Sequence, residues 1–506
     1  MSEYDFIVVG GGTAGCVLAA RLTEDADTRV LVLEAGDQEP LPESRVPAVW
    51  PTLSGTRMDW ADTTVVQAAA GRPEPWPRGR GLGGSSAINA MVFLRGHRAS
   101  YDAWVTAGAK GWGFADLLPF FRRSERAVGR DPALRGQDGP LTPAPVAEPH
   151  PLAVAMLEAV TQVGYARVAD IASGATEGFG WSDVLAGGGV RQSALDAYLA
   201  PAIGRANLDI ATGAHVRRLL VGGGRCRGVE YGAAGEIRTA YGRETVLAAG
   251  AVGSPQLLLL SGIGPADHLR ELGIDVVADL PGVGANLHDH PISGVTYRAN
   301  RPVPQARNNH VEVAGLLSGS AEAEQPDLQL IMVDVPLGDG GGVPSAGQGY
   351  TLAVSAITPH SRGVLRLADA GPATPPIIDP GYYTDNRDVD AVVAGLRRAR
   401  EIGAAPAFRE WRDEEVRPGS KVQGTTGLRD FVRASMRSYH HYVGTCRLGT
   451  DDDAVVDLEL RVRGIDGLRV ADASVMPSIV SANTMATVYA IAERAADLLR
   501  SGADRT

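Results

Sequence analysis

Two histidines stand side by side late in the chain, His440 and His441, followed by Tyr442. Imidazole titrates close to neutrality, so a placed histidine suits the removal and return of a proton. Neighbouring side chains on an extended segment point to opposite sides. At most one of the pair is therefore expected to face a reacting molecule. A metal-binding pair is the competing reading, but no third ligand with metal spacing accompanies them, and no metal is expected. Asn483 precedes an apolar-periodic segment, Thr484 to Leu499, where a helix N-cap would account for it. Asp472 closes the strand-like run Leu468 to Ala471 and reads as a turn residue. His288 and His290 flank Asp289 in a further patch that reads as structural.

The elements that must position such groups begin at the N-terminus. An apolar run, Phe6 to Val9, ends in three glycines; an amphipathic segment, Thr13 to Leu22, follows, and a second apolar run, Val30 to Leu33, stops at Glu34. That is strand, tight turn, helix, strand. Gly10, Gly12 and Gly15 occupy the dinucleotide fingerprint: the first makes the turn, the second lets backbone approach a pyrophosphate, and the third lets the helix pack on the sheet. The helix N-terminus presents free N–H groups to phosphate. Glu34 lies 19 residues past Gly15, at the position for a ribose hydroxyl. This stretch alone does not choose between FAD and NAD.

A proline-rich excursion over residues 37–60 reads as a lid or binding loop. A second glycine-rich turn, Gly83 to Ser86, is followed after Asn89 by a run that begins a helix or a buried strand. The run Val221 to Gly228 imitates a nucleotide loop, but strand-like residues follow it, so a hairpin turn is expected. Helical patterning covers about residues 150–170, Arg191 to Leu199 and Asp388 to Arg400; strands are expected across Asn207 to Val246, Asp327 to Val333 and Tyr350 to Ile357.

At 506 residues two domains are expected. A hydrophobic content of 44% with 21% charged residues is that of a globular chain, and the net charge of −11 disfavours nucleic acid or an anionic membrane as partner. Only Lys110 and Lys421 are available for Schiff-base chemistry, and Cys16, Cys226 and Cys446 suggest no disulfide frame. No apolar run reaches the ~20 residues of a membrane span. The first strand starts by residue 5, leaving no room for a signal peptide, so a cytoplasmic protein is expected.

Five ordered stretches resemble the glucose–methanol–choline (GMC) oxidoreductase family of FAD-dependent enzymes: Gly79 to Phe93, Gly250 to Gly264, Pro281 to Pro291, His441 to Gly449 and Arg469 to Leu499. The likeness runs from the first strand to the last helix and is weakest between about 300 and 350. It implies an α/β fold, with a Rossmann-like FAD domain over 1–160, 200–299 and 446–506. A discontinuous substrate domain on an antiparallel sheet (161–199 and 300–445) would complete a p-hydroxybenzoate-hydroxylase-like architecture.

Counted from Gly444-Thr445-Cys446, His441 matches the family's catalytic histidine, and Asn483 its second catalytic position, where the carboxamide would donate to a substrate oxygen that becomes alkoxide-like. The resemblance implies FAD contacts from Gly10, Gly12, Thr13, Ala14, Gly15, Glu34, Ala35, Trp60, Arg80, Gly84, Ser85, Asn89, Ala90, Val92, Val216, Asp472, Ala473, Asn483 and Thr484. Ile88 stands where histidyl-linked members carry the linking histidine, so the FAD is expected to be non-covalent. The implied reaction is oxidation of a primary or secondary alcohol to a carbonyl, with O2 or a quinone-type carrier as acceptor. A non-redox lyase of hydroxynitrile-lyase type is the alternative. No cage for a cation stands out, so choline is not favoured, and Asn308, Asn309 and His310 form a polar cluster that would suit a polyol or sugar, or equally a solvated loop.

Overall fold

The computed structural model describes residues 3–175, 177–319, 325–338 and 343–503. The first βαβ unit forms as read: strand Tyr4–Val9, helix Thr13–Leu22, strand Val30–Leu33. From Phe6 onward both strands are wholly buried, as parallel strands covered on both faces must be. The sheet runs Leu208–Ala211, Val30–Leu33, Tyr4–Val9, Glu236–Leu247, Arg225–Ala233, His215–Gly222. Val8 lies in register with Val32 on one side and Val246 on the other. Strand Leu468–Val470 returns late in the chain to pair, in parallel, with the end of Glu236–Leu247. Helix Met485–Ala503 packs on Thr13–Leu22, where Arg21 meets the buried Glu493 at 2.8 Å.

The glycine run after Val221 is a hairpin. Gly223 and Gly224, both at positive φ, join His215–Gly222 to Arg225–Ala233, the backbone that a two-residue turn of this hand requires.

The second sheet is antiparallel throughout, in the order Arg412–Arg417, Pro291–Ala299, Gly349–Ala356, Leu328–Val333, Val313–Leu317, Gly178–Trp181, with Arg437–Ser438 pairing to Pro291–Ala299. Helix Asn386–Ala404 covers one face with Val389, Val392, Val393, Leu396, Ala399 and Ile402, a helical apolar stripe. The other face, carrying Ile292, Gly294 and Thr296 at the strand period of two, opens onto a cavity.

Three expectations change. Strand Pro291–Ala299 belongs to the second sheet, and helix Pro151–Gln162 packs on that sheet's strands; the boundary at 160 falls inside that helix, and the one at 299 leaves the whole strand with the first layer. A strand pattern announces a strand but not which sheet will take it. Beyond Asn89 there is neither a helix nor a regular strand: a 3-10 turn, Gly84–Ala87, is followed by irregular extended chain, bridged at Val92–Val184 and bonded through Phe93 N to Asp183 O and Met91 O to Leu185 N. Within Arg191 to Leu199 only Leu195–Leu199 coils, as one wide π turn.

Candidate active site

One cavity of about 1130 Å³ lies between the two sheets. Its nucleotide end is made of backbone. Gly12 precedes the first helix with no side chain capping it, which leaves N–H groups and the positive end of the helix dipole toward the cavity. The helix is drawn tight onto the turn: a Cβ at Gly15 would stand 1.8 Å from the Gly10 carbonyl oxygen. Gly84, at φ +51°, brings the second loop across, and a Cβ there would meet Gly12 Cα at 2.6 Å. Gly10, Gly12, Thr13, Ala14, Ala35, Trp60, Gly84, Ser85, Asn89, Ala90, Val92, Val216, Ala473 and Thr484 all line the cavity. Gly15 and Arg80 do not; Arg80 instead lies over the Trp60 ring, beside Arg78.

Two acids expected to meet the cofactor turn out to be bound to the protein. Glu34 lines the cavity, yet one carboxylate oxygen accepts from Gly11 N (2.8 Å) and the other from Gly36 N (2.8 Å) and Gly81 N (2.9 Å). It ties three loops together and keeps about one acceptor position for a ribose hydroxyl. Asp472 accepts from Gly250 N, Ser254 Oγ, Ser474 N and Ser474 Oγ at 2.6–2.9 Å. Its four acceptor positions are thereby filled; Asp472 borders the cavity and shapes the turn that presents Ala473. Asn89 likewise accepts from Met91 N and Arg191. Ile88 lines the cavity at the position expected for a linking residue.

At the opposite end His441 and Asn483 come together: Asn483 Nδ2 lies 3.2 Å from His441 Nε2. The Asn483 carbonyl oxygen accepts from Gln329 at 3.2 Å. The helix begins only at Met485, so this amide serves the pair rather than capping the helix, as its sequence position suggested. His441 Nδ1 is 2.9 Å from Nδ1 of His290, and the main-chain N–H of His441 donates to Asp289 at 2.7 Å. The patch read as structural is thus in direct contact with the catalytic candidate. Its only sequence signal was the unusual density of titratable residues.

Both neighbouring histidines line the cavity, against the alternation expected of an extended segment. The cause is local: His440 sits at φ +64°, leaving the extended region and turning its side chain to the same side as that of His441. His440 Nδ1 is 3.0 Å from the Tyr442 hydroxyl, and the Tyr442 ring stacks on Trp76 at 3.8 Å. Burial, reinforced by the His290 and His440 rings, holds His441 well below the usual histidine range. Burial pushes His290 down to about 3. These imidazoles are neutral at physiological pH, and a neutral imidazole is a proton acceptor.

Around the pair, Val92, Val311, Ile331 and Val333 form an apolar cluster with Ala482, against which Ile292, Val335 and Tyr439 pack. The Tyr439 ring lies 4.3 Å from that of His441. The polar cluster is bonded within the protein: Asn308 donates to Glu148 O and Glu312, Asn309 to Ala90 O, and His310, which also lines the cavity, bridges Asp334 (2.5 Å) and Ala48 O (2.8 Å). With the Trp50 indole donating to Asn309 O at 2.9 Å, these bonds hold the 37–60 excursion, whose Trp50, Pro51 and Ser54 roof part of the cavity. No group of metal-ligating side chains occurs among the described residues, nor any helix long and apolar enough to cross a membrane.

Two sheets, a backbone phosphate cradle and an imidazole–carboxamide pair facing one cavity define an α/β dinucleotide-dependent oxidoreductase. The chain belongs to the GMC oxidoreductase family, whose N-terminal model matches residues 4–292 and C-terminal model residues 359–492. It is 40% identical to the mitochondrial choline dehydrogenase of Homo sapiens over 98% of this chain and 90% of that one. It is 36% identical to the alcohol dehydrogenase [acceptor] of Pseudomonas putida over 98% and 95%. Pyridoxine 4-oxidase from Mesorbium loti superposes with a TM-score of 0.95 at 38% identity, over 98% of this chain and 99% of that structure. The chain is accordingly an FAD-binding oxidoreductase, and the relatives named above act on CH–OH donors.

Proposed function

We propose that this chain oxidises the CH–OH carbon of an uncharged alcohol with an apolar body to the carbonyl. His441 accepts the hydroxyl proton and Asn483 donates to the substrate oxygen. The observation that carries this reading is the neutral His441 imidazole 3.2 Å from the Asn483 carboxamide, at the apolar end of a cavity whose other end is a phosphate cradle. The uncapped helix at Gly12, the Gly84 loop and the Glu34-tied turns suit the pyrophosphate and ribose of FAD. Ile88 offers no atom for a covalent link. Bound FAD supplies the two-electron acceptor for the hydrogen that leaves the substrate carbon. The Asn483 N–H that lies at His441 Nε2 can turn to the substrate oxygen as that oxygen gains charge and Nε2 takes the proton.

The choice of an uncharged substrate follows from the lining carboxylates. Among the described residues lining the cavity these are Glu34, Glu74 and Asp472. Glu34 and Asp472 are tied as above, and Glu74 pairs with Arg437 at 3.1 Å. None is left to balance a quaternary ammonium, although a relative is named for choline. Reoxidation by O2 or by a quinone-type carrier completes the proposed cycle.

Anaerobic mixing of the yellow protein with aliphatic alcohols, benzylic alcohols and choline tests this. Bleaching by the neutral alcohols, with an equivalent of carbonyl formed, is the expected result. Bleaching by choline alone would overturn the substrate assignment, and carbonyl release without bleaching would mean a lyase.

A further inference from the structure

We infer that His290 is a positioning residue: it accepts the Nδ1 proton of His441 and so holds that imidazole in the tautomer whose bare Nε2 faces the substrate. The inference rests on the reading above, in which His441 takes the substrate proton. It follows from one group that can only accept. The carbonyl oxygen of Ile357 lies 3.1 Å from His290 Nε2, so Nε2 of His290 carries a proton. His290 is fully buried and neutral, and a neutral imidazole has a single N–H. Its Nδ1 is therefore an acceptor. The atom facing it at 2.9 Å is Nδ1 of His441, which must donate. His441 is neutral as well, so its Nε2 has only a lone pair, to which Asn483 Nδ2 donates at 3.2 Å. Gln329 Nε2, 3.2 Å from Asn483 Oδ1, fixes the orientation of that amide.

The result is a head-to-tail chain of hydrogen bonds, Gln329 to Asn483 to His441 to His290 to the Ile357 carbonyl. Every donor in it feeds the next acceptor. The two rings meet edge-on, at 89° and 5.1 Å between centroids. Asp289, next in sequence to His290, accepts the main-chain N–H of His441, so one dipeptide holds both the backbone and the ring of the same residue. The remaining titratable groups around the ring are Tyr439, tilted at 42° against it, and His440 beside it in sequence. When Nε2 takes up the substrate proton, the imidazolium already has an acceptor for its Nδ1–H. The His441 ring need not turn; only the Asn483 N–H leaves Nε2 for the substrate oxygen.

The test uses holoenzyme labelled with 15N-histidine and two substitutions. His290→Gln keeps the polarity of the chain, an oxygen to accept from His441 and an N–H to donate to Ile357. His290→Leu removes both. In the parent protein the His441 resonances should show a protonated Nδ1 and an unprotonated Nε2. His290→Leu should lose that preference, move the acid limb of the pH–rate profile and slow anaerobic flavin reduction about 10–100-fold, the range for lost outer-shell partners of a reacting group. Flavin content should be unchanged. His290→Gln should restore the tautomer and most of the rate. A parent spectrum with the proton on His441 Nε2 overturns the inference, whether or not the leucine variant folds; so do Leu and Gln variants that behave alike. If no alcohol bleaches the parent flavin, the proposed function falls, while the tautomer still reports on His290.

Discussion

The two ends of the cavity are built from different materials. The nucleotide end is backbone: glycines that leave no room for a Cβ, an uncapped helix and a carboxylate occupied in tying turns together. The reacting end is side chain, assembled from residues 289–290, 329, 439–441 and 483 on separate segments. A fault at the first end should cost the cofactor or the fold. A fault at the second should cost rate alone.

The sharpest division comes from His441→Ala. Flavin content and melting temperature should match the parent, while anaerobic flavin reduction by the best alcohol falls by about 10²–10⁴, the loss expected for a general acid–base. A variant that loses its flavin instead would show that the reacting end also builds the cradle, and the comparison would fail. Glu34→Ala addresses the opposite end. It strands three buried N–H groups, at about 1–3 kcal/mol for each donor left unmet. Melting temperature and flavin occupancy should drop together, and the molecules that retain flavin should be reduced at the parent rate. Loss of flavin with unchanged melting would assign Glu34 to the cofactor alone.

The smallest expected effect is in the pH profile. A free histidine titrates near about 6.5, whereas burial lowers His441, so its neutral form persists as the solution is acidified. Flavin reduction should stay level through that region and fall only at more acidic pH, once His441 becomes protonated. A limb centred at the free-histidine value would mean that the ring is better solvated than its surroundings in this structure imply.

The same contrast explains what the sequence disclosed. Gly10, Gly12, Gly15 and the strands around them form a local pattern, because a tight turn against a phosphate imposes its demand on consecutive residues. The Gly223-Gly224 hairpin was separable from that pattern because strand, not helix, follows it. His441 and Asn483 were found through their resemblance to a family rather than through spacing. His290 and Gln329 were not found: a residue that acts through a contact with another segment leaves no mark on its own neighbours. That His440 and His441 share the cavity was missed because alternation assumes extended backbone, and a left-handed φ at a non-glycine residue, which costs roughly 1–2 kcal/mol, is not written in residue type. The Asn308–His310 cluster was open to two readings for a related reason. Polar side chains signal that hydrogen bonds will be made, not whether the partner is a ligand or a lid.

The first helix lies under the last one, and the first sheet is completed only when Leu468–Val470 pairs with Glu236–Leu247. On a translating ribosome, then, the glycine turn made at the outset stays without its cover until nearly the whole chain has emerged. At ~5–20 residues per second that is a wait of roughly half a minute to a minute and a half. For that interval the apolar surface of Thr13–Leu22 is open to solvent and to chaperones, and flavin capture becomes an event that follows emergence of the last helix.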